Sequence, residues 1–210
     1  MRLRLSRLTF IVSLAFLPLL GCGGNPVPGP LGDETHRSGP VQDPAAIRSA
    51  LQWGSRHAQT AKKTLEEHYV STVREGDHIQ RARVRTRWSR LALHAAERAL
   101  SSQEPDPQTV ERVLKGPPLT ITLLRRGYHK GVVTQLDMVL VQGSHRVYAP
   151  QLTRRSARAV KDDGRVIAYE GEMEGNFPLD DLNLRKSASL EVRLEDGSFL
   201  YFSIPLWRLK

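Results

Sequence analysis

Apolar residues recur at three- and four-residue steps from residue 43 onward, the spacing of one face of an α-helix. Asp43 followed by Pro44 is a good N-cap with proline at N1. The periodic positions are Ile47, Ala50, Leu51, Gly54, Ala58, Ala61, Leu65 and Tyr69. Gly76 is a candidate C-cap and Asp77 a candidate new N-cap, after which a second helix extends to about Ser102. The pattern therefore predicts a helical hairpin over residues 43–104.

The period changes to two after Gly116-Pro117-Pro118, and turn signals separate short runs rich in Val, Ile, Leu, Tyr and Phe. A short helix from Val110 to Leu114, capped by Asp106, precedes these runs. Strands are predicted near 119–126, 132–142, 145–152, 155–161, 165–173, 187–195 and 198–206. Six or seven antiparallel strands over residues 105–210 indicate a β-sandwich or a small open barrel. The predicted fold is α+β: an N-terminal helical hairpin followed by an antiparallel β-sandwich.

The last hairpin allows its register to be predicted. A three-residue loop, Glu195-Asp196-Gly197 with Gly197 in the left-handed region, pairs Val192 with Leu200 and Leu190 with Phe202. A two-residue loop would instead mix charged and apolar residues on one face, because a one-residue slip turns every side chain over. We therefore expect the longer loop.

The N-terminus has the three-part layout of a secretory signal. Three arginines (Arg2, Arg4 and Arg7) precede an apolar run from Leu8 to Leu20. Thirteen helical residues reach only about 20 Å, which is short of the ~30 Å hydrocarbon core. A membrane-spanning helix is therefore the weaker interpretation.

The boundary Leu19-Leu20-Gly21-Cys22 closely resembles the lipobox of bacterial lipoproteins. The resemblance implies that residues 1–21 are a signal peptide, and that the Cys22 thiol and the new amine are acylated. Two or more acyl chains anchor a protein stably. Gly23 stands where many such lipoproteins have aspartate for inner-membrane retention, so the resemblance favours an outer-membrane anchor facing the periplasm.

Cysteine usage agrees with lipidation, because Cys22 is the only cysteine and no intramolecular disulfide can form. Residues 22–42 are predicted to contain the lipidated N-terminus and a segment rich in glycine and proline, with few side chains that could pack. As a flexible coil, its twenty residues span roughly 25 Å. We expect a tether between the membrane and the folded body.

The chain has 31 Lys and Arg against 22 Asp and Glu, and removal of the three signal arginines leaves 28 against 22. Nucleic acid is the usual partner of a basic chain, but export separates this one from it. The strongest charge cluster is RARVRTRWSR, residues 81–90. On a helix, Arg83, Arg87, Arg90 and His94 would share one stripe that could contact an anion or a partner; a strand over 81–88 is the alternative.

The window LYFSIPLW, residues 200–207, indicates a core strand, with an exposed edge that accepts a partner strand as the alternative. The sequence has no zincin motif, nucleophile elbow or P-loop. We therefore expect no metal, cofactor or catalysis.

These observations predict a membrane-anchored envelope lipoprotein that acts as a binding or assembly module. Its expected partners are membrane lipid, through Cys22, and an envelope protein or cell-wall polymer. The alternatives are a hydrolase acting on envelope polymers or lipids, or a carrier of an apolar ligand.

Overall fold

A computed structural model describes residues 43–134 and 136–209. The predicted signal peptide, Cys22 and the predicted tether lie outside the described residues. The described helices are α1 Pro44–Arg56, α2 Ala61–His68, α3 Arg87–Leu100 and α4 Pro107–Lys115. The described strands are β1 Val70–Glu75, β2 His78–Thr86, β3 Leu119–Gly127, β4 Asp137–Gln142, β5 His145–Tyr148, β6 Gln151–Asp162, β7 Arg165–Phe177, β8 Ser187–Arg193 and β9 Phe199–Pro205. A 3-10 turn, Leu206–Arg208, follows β9.

The strands form two antiparallel sheets, with strand orders β1-β2-β3-β7-β6 and β5-β4-β8-β9. Along β8 and β9 of the smaller sheet, buried side chains alternate with exposed or half-buried ones, as expected when one face is packed and the other is solvated. The inward side chains of both sheets belong to one continuous core. The predicted α+β class with antiparallel, sandwich-like sheets is confirmed.

The predicted helical hairpin is wrong over residues 70–86, which form the β1–β2 hairpin. Gly76 and Asp77 make its turn, since Glu75 pairs with His78, and they cap no helix. The first predicted helix is also interrupted, because α1 ends at Arg56 and α2 begins at Ala61. Two of the five strands of the larger sheet thus come from the segment predicted to be helical.

The predicted short helix is confirmed as α4, whose N-cap Asp106 accepts hydrogen bonds from the backbone of Gln108 and Thr109. The predicted register of the last hairpin is also confirmed. Leu190 pairs with Phe202 and Val192 with Leu200, and Gly197 has φ +83°. These four apolar side chains are buried in the core.

Helices α1 and α3 pack closely against each other. Gly54 of α1 lies against the backbone of α3 at Ala92. Beside this crossing, the rings of Trp53 and Trp88 are 5.5 Å apart. The helical side chains join the core that lies between the sheets, because Trp88 and Leu91 belong to the same buried cluster as Ile121 of β3.

Candidate interaction surfaces

The arginine-rich segment 81–90 is divided between two elements. Residues 81–86 belong to β2, and Arg87 is the first residue of α3. The side chain and backbone of Thr86 exchange hydrogen bonds with Ser89 in a capping box, which fixes where the helix begins. The helical stripe predicted for Arg83, Arg87, Arg90 and His94 is therefore wrong for Arg83. The strand alternative is right for residues 81–86.

Arg87 and Arg90 bind the end of α4. Both Nε and Nη2 of Arg87 donate to the Gly116 carbonyl, at 3.0 and 2.6 Å, and Nη2 of Arg90 donates to the Pro117 carbonyl. Gly116 is the C-cap of α4 and Pro117 follows it, so both cations lie at the negative end of the helix, where positive charge is favourable. Burial lowers the pKa of both arginines, and Arg87 lowers that of Arg90 further. Their described contacts are internal.

The other two predicted site residues also make internal contacts. Nη2 of Arg83 lies 3.5 Å from a carboxylate oxygen of Glu66 in α2. Nε2 of His94 accepts a hydrogen bond from the backbone N–H of Asp106, 3.0 Å away. That these four residues contact an anion or a partner stays a prediction.

A different set of arginines meets on the outer face of the larger sheet. Arg81 pairs with Thr72 and Arg74 with Ile79, so Arg74, Ile79 and Arg81 lie on the same side of β1 and β2. Arg126 lies on this side of β3, two residues beyond Leu124, which pairs with Arg81. Strand spacing places Arg74 and Arg126 about 10 Å apart, with Ile79 between them. We call these four residues the arginine face.

The arginine face has no carboxylate partner among the described residues. Arg126 pairs across the ladder with Glu170, but Glu170 binds Arg158 of β6 instead, at 2.5 Å. The next glutamate on β7, Glu172, binds Arg155 in the same way, at 3.2 Å. Glu170 and Glu172 of β7 are thus neutralised by arginines of β6.

A buried polar network supports the arginine face from below. Arg125, of which 8% is exposed, donates to both carboxylate oxygens of Glu75 and to the Val132 carbonyl. The fully buried Gln80 side chain donates to Glu75 and to the Arg126 carbonyl, and accepts from the Arg126 N–H. This amide extends β2–β3 pairing past the last ladder pair and fixes the backbone of Arg126.

Aromatic side chains occupy the outer face of the smaller sheet. Tyr148 of β5 and Tyr201 of β9 are 63% and 56% exposed, and both lie on the row that passes through Val139 and Glu191. Phe199 stacks on Tyr201 with ring centroids 6.1 Å apart. We call Tyr148, Phe199 and Tyr201 the aromatic face.

One ion pair lies across the middle of the aromatic face. Arg146 reaches Glu191 at 2.5 Å, and this hydrogen bond raises the pKa of the arginine. The predicted register of the last hairpin places Leu200, Phe202 and Ile204 on one face, and the structure confirms it. The even-numbered Leu200, Phe202 and Ile204 are buried, whereas Tyr201 is exposed. Period-two alternation was the available signal, both here and for Arg74, Ile79 and Arg81.

The exposed edge considered as the alternative for residues 200–207 is partly covered, because β1 of the other sheet lies close to β9. Among residues 43–134 and 136–209, no three His, Cys, Asp or Glu side chains are grouped to hold a metal ion. The cavity between α2, β2 and α3 has a volume of about 10 Å³, roughly the space of one water molecule. No helix in the described part of the chain is long and apolar enough to cross a bilayer.

Comparison with known proteins found no matching family model, no matching curated protein and no matching solved structure.

Proposed function

We propose that this protein is a lipid-anchored module of the bacterial envelope that binds a partner through the aromatic face and performs no catalysis. The observation that carries the proposal is the exposure of Tyr148, Phe199 and Tyr201 on one sheet face. Tyrosine and other aromatic residues, with arginine, are enriched at protein interfaces and supply most of their binding energy. The partner class is an envelope protein, with a cell-wall polymer as the alternative.

The rigidity of the aromatic face supports this role. Tyr201 is held in the ladder opposite Glu191, and Tyr148 opposite Val139, so neither ring lies on a loop. A preformed surface loses little conformational entropy when a partner binds. Arg146, between the two tyrosines, can exchange part of its contact with Glu191 for a carbonyl or carboxylate of the partner.

The proposed site of membrane attachment is Cys22. Acylation at Cys22 would connect the folded domain to the membrane by a flexible tether of roughly 25 Å, within reach of membrane-associated complexes and of the adjacent wall. The proposed localisation is the outer membrane, with the folded domain facing the periplasm. Metabolic labelling with a palmitate analogue tests this part: the wild-type chain should incorporate label, and Cys22→Ala should not. Equal labelling of the two chains would exclude the lipobox.

Site-specific photocrosslinking in intact cells tests the binding surface. A photoreactive phenylalanine analogue replaces Tyr148, Phe199 or Tyr201 in separate samples, and adducts are identified by mass spectrometry. We expect the same adduct from at least two of the three positions. Leu100, Tyr128 and Ile167 are matched controls, because they have comparable exposure elsewhere on the surface.

The outcome also separates the partner classes. A discrete protein adduct supports the envelope-protein form, and an adduct that sediments with the purified wall supports the polymer form. The absence of adducts from all three aromatic positions, or equal yields from the control positions, would contradict the proposal.

A further inference from the structure

We propose that the arginine face is a second, independent binding surface, which docks onto the phosphate head groups of an anionic lipid bilayer. It goes beyond the proposed function, because it concerns the opposite side of the sandwich and predicts binding without any acyl chain. Its four residues are Arg74, Ile79, Arg81 and Arg126.

The first support is uncompensated charge. In the described part of the chain, Arg74, Arg81 and Arg126 make no ion pair, and the glutamates that pair with β3 on this side of β7, Glu170 and Glu172, are held by arginines of β6. Guanidinium groups left in this state are available to phosphate oxygens, which they bind through paired N–H donors.

The second support is the apolar side chain at the centre. Ile79 is 51% exposed although it is flanked by Arg74 and Arg126. An isoleucine among arginines fits the boundary between head groups and acyl chains, where basic residues meet phosphates and apolar residues enter the interface. An acidic peptide would satisfy the arginines but would leave this side chain without a matching contact.

The third support is geometry. The three arginines project from adjacent strands of one sheet, so they meet a plane of phosphates together. The buried contacts of Gln80 with the Arg126 backbone, and of Arg125 with Glu75, hold this part of the sheet in place. The aromatic face lies on the other side of the core, so a body docked in this way leaves it pointing away from the membrane.

Vesicle co-sedimentation tests this inference. The protein is the chain from residue 22 onward with Cys22→Ala, so that no lipid is attached, mixed with vesicles of phosphatidylglycerol and phosphatidylcholine or of phosphatidylcholine alone. We expect binding to the anionic vesicles only, weakened by salt. Each arginine near an anionic surface contributes about fivefold to partitioning, so Arg74→Gln, Arg81→Gln and Arg126→Gln together should reduce it roughly 100-fold.

A charge-matched control separates a docking face from general attraction. Arg48, Arg56 and Arg185 are exposed and lie outside the sheets, so the triple glutamine variant at these positions removes the same charge. It should retain most of the binding, whereas Ile79→Ser alone should weaken it. Circular dichroism verifies that each variant is folded.

Two results would overturn the inference: no binding to anionic vesicles, or equal losses in the face variant and in the control. A third would replace it. If the face variant leaves vesicle binding unchanged but loses a protein crosslink in cells, the occupant is an acidic protein. None of these results bears on the crosslinks expected from Tyr148, Phe199 and Tyr201, so the two proposals can fail separately.

Discussion

Gly54 lies where α1 crosses α3, and its replacement by alanine tests how closely the two helices must approach. In an open helix, Gly→Ala stabilises the fold by about 0.5–1 kcal/mol. Here a Cβ at residue 54 would lie 2.0 Å from the Ala92 carbonyl oxygen and 2.8 Å from its carbonyl carbon. Both atoms are backbone, so no change of rotamer relieves the clash.

The helices would have to separate by roughly 1.4 Å for the new Cβ to reach ordinary contact at 3.4 Å. Gaps of that size remove a large part of the dispersion energy of the surrounding contacts. Ala50 and Ala95, both fully buried on these helices, and the Trp53–Trp88 ring pair would lose contact together. Overpacking typically costs about 1–3 kcal/mol. With the loss of neighbouring contacts added and the propensity gain subtracted, we expect a net loss of about 2 kcal/mol.

Urea unfolding, followed by tryptophan fluorescence and circular dichroism, measures this loss. With a denaturant slope of about 2 kcal/mol/M, the midpoint of Gly54→Ala should fall by about 1 M. Ser55→Ala, on the exposed side of the same helix, should change the unfolding free energy by less than about 0.5 kcal/mol. A Gly54→Ala protein as stable as the wild type would refute the close crossing of α1 and α3.

Two further predictions concern buried polar groups. Burial raises the pKa of Tyr69 from 10.0 to about 12. Below pH 10 the tyrosine is protonated in both the folded and the unfolded chain, so the free energy of unfolding does not depend on its titration. Between pH 10 and 12 only the unfolded chain releases the proton, and the free energy of unfolding therefore falls. Urea unfolding should show that the free energy of unfolding falls by about 2–3 kcal/mol over that range. The Tyr69→Phe variant should lack this part of the pH dependence. Arg125→Met leaves Glu75 without its cation and should cost about 3 kcal/mol of unfolding free energy, of which Glu75→Gln in the same chain should restore at least half. Strictly additive losses in that double-mutant cycle would contradict coupling of the pair.

The parts of the fold that were predictable depend on local signals. Gly197 needs the left-handed region, and the alternation around it permits only one register that buries Leu190, Val192, Leu200 and Phe202. The same holds for α4, where Asp106 before proline marks the first turn. In both cases a few neighbouring residues contain the decisive information.

The β1–β2 hairpin was missed because the pairing of β2 with its other neighbour, β3, is non-local. Arginine favours helices, and Val84, Trp88 and Leu91 follow one another at helical steps across the boundary between β2 and α3. The choice of strand depends on pairing with β3, where Val84 lies opposite Ile121, thirty-seven residues further along the chain. Tertiary contacts thus overrode a helical pattern that was locally consistent.

The pairing of β2 with β3 also determines which arginines have no carboxylate partner among the described residues. Sequence spacing selected Arg87, Arg90 and His94, but the chain uses them to hold α4 and its connections. The ion-pair partners of the β7 glutamates could not be predicted from the sequence either. The strand order β1-β2-β3-β7-β6 places these glutamates between arginines of β3 and arginines of β6.

Glu170 shows how that order acts. It faces Arg126 on one side and Arg158 on the other, and Nε and Nη2 of Arg158 both donate to it. Arg158 belongs to an edge strand, so its side chain can turn toward β7 without crowding a further strand. Arg126 is instead fixed at its backbone by Gln80 and forms no ion pair among the described residues. The positive character of the arginine face therefore depends on β6, a strand that contributes no residue to it.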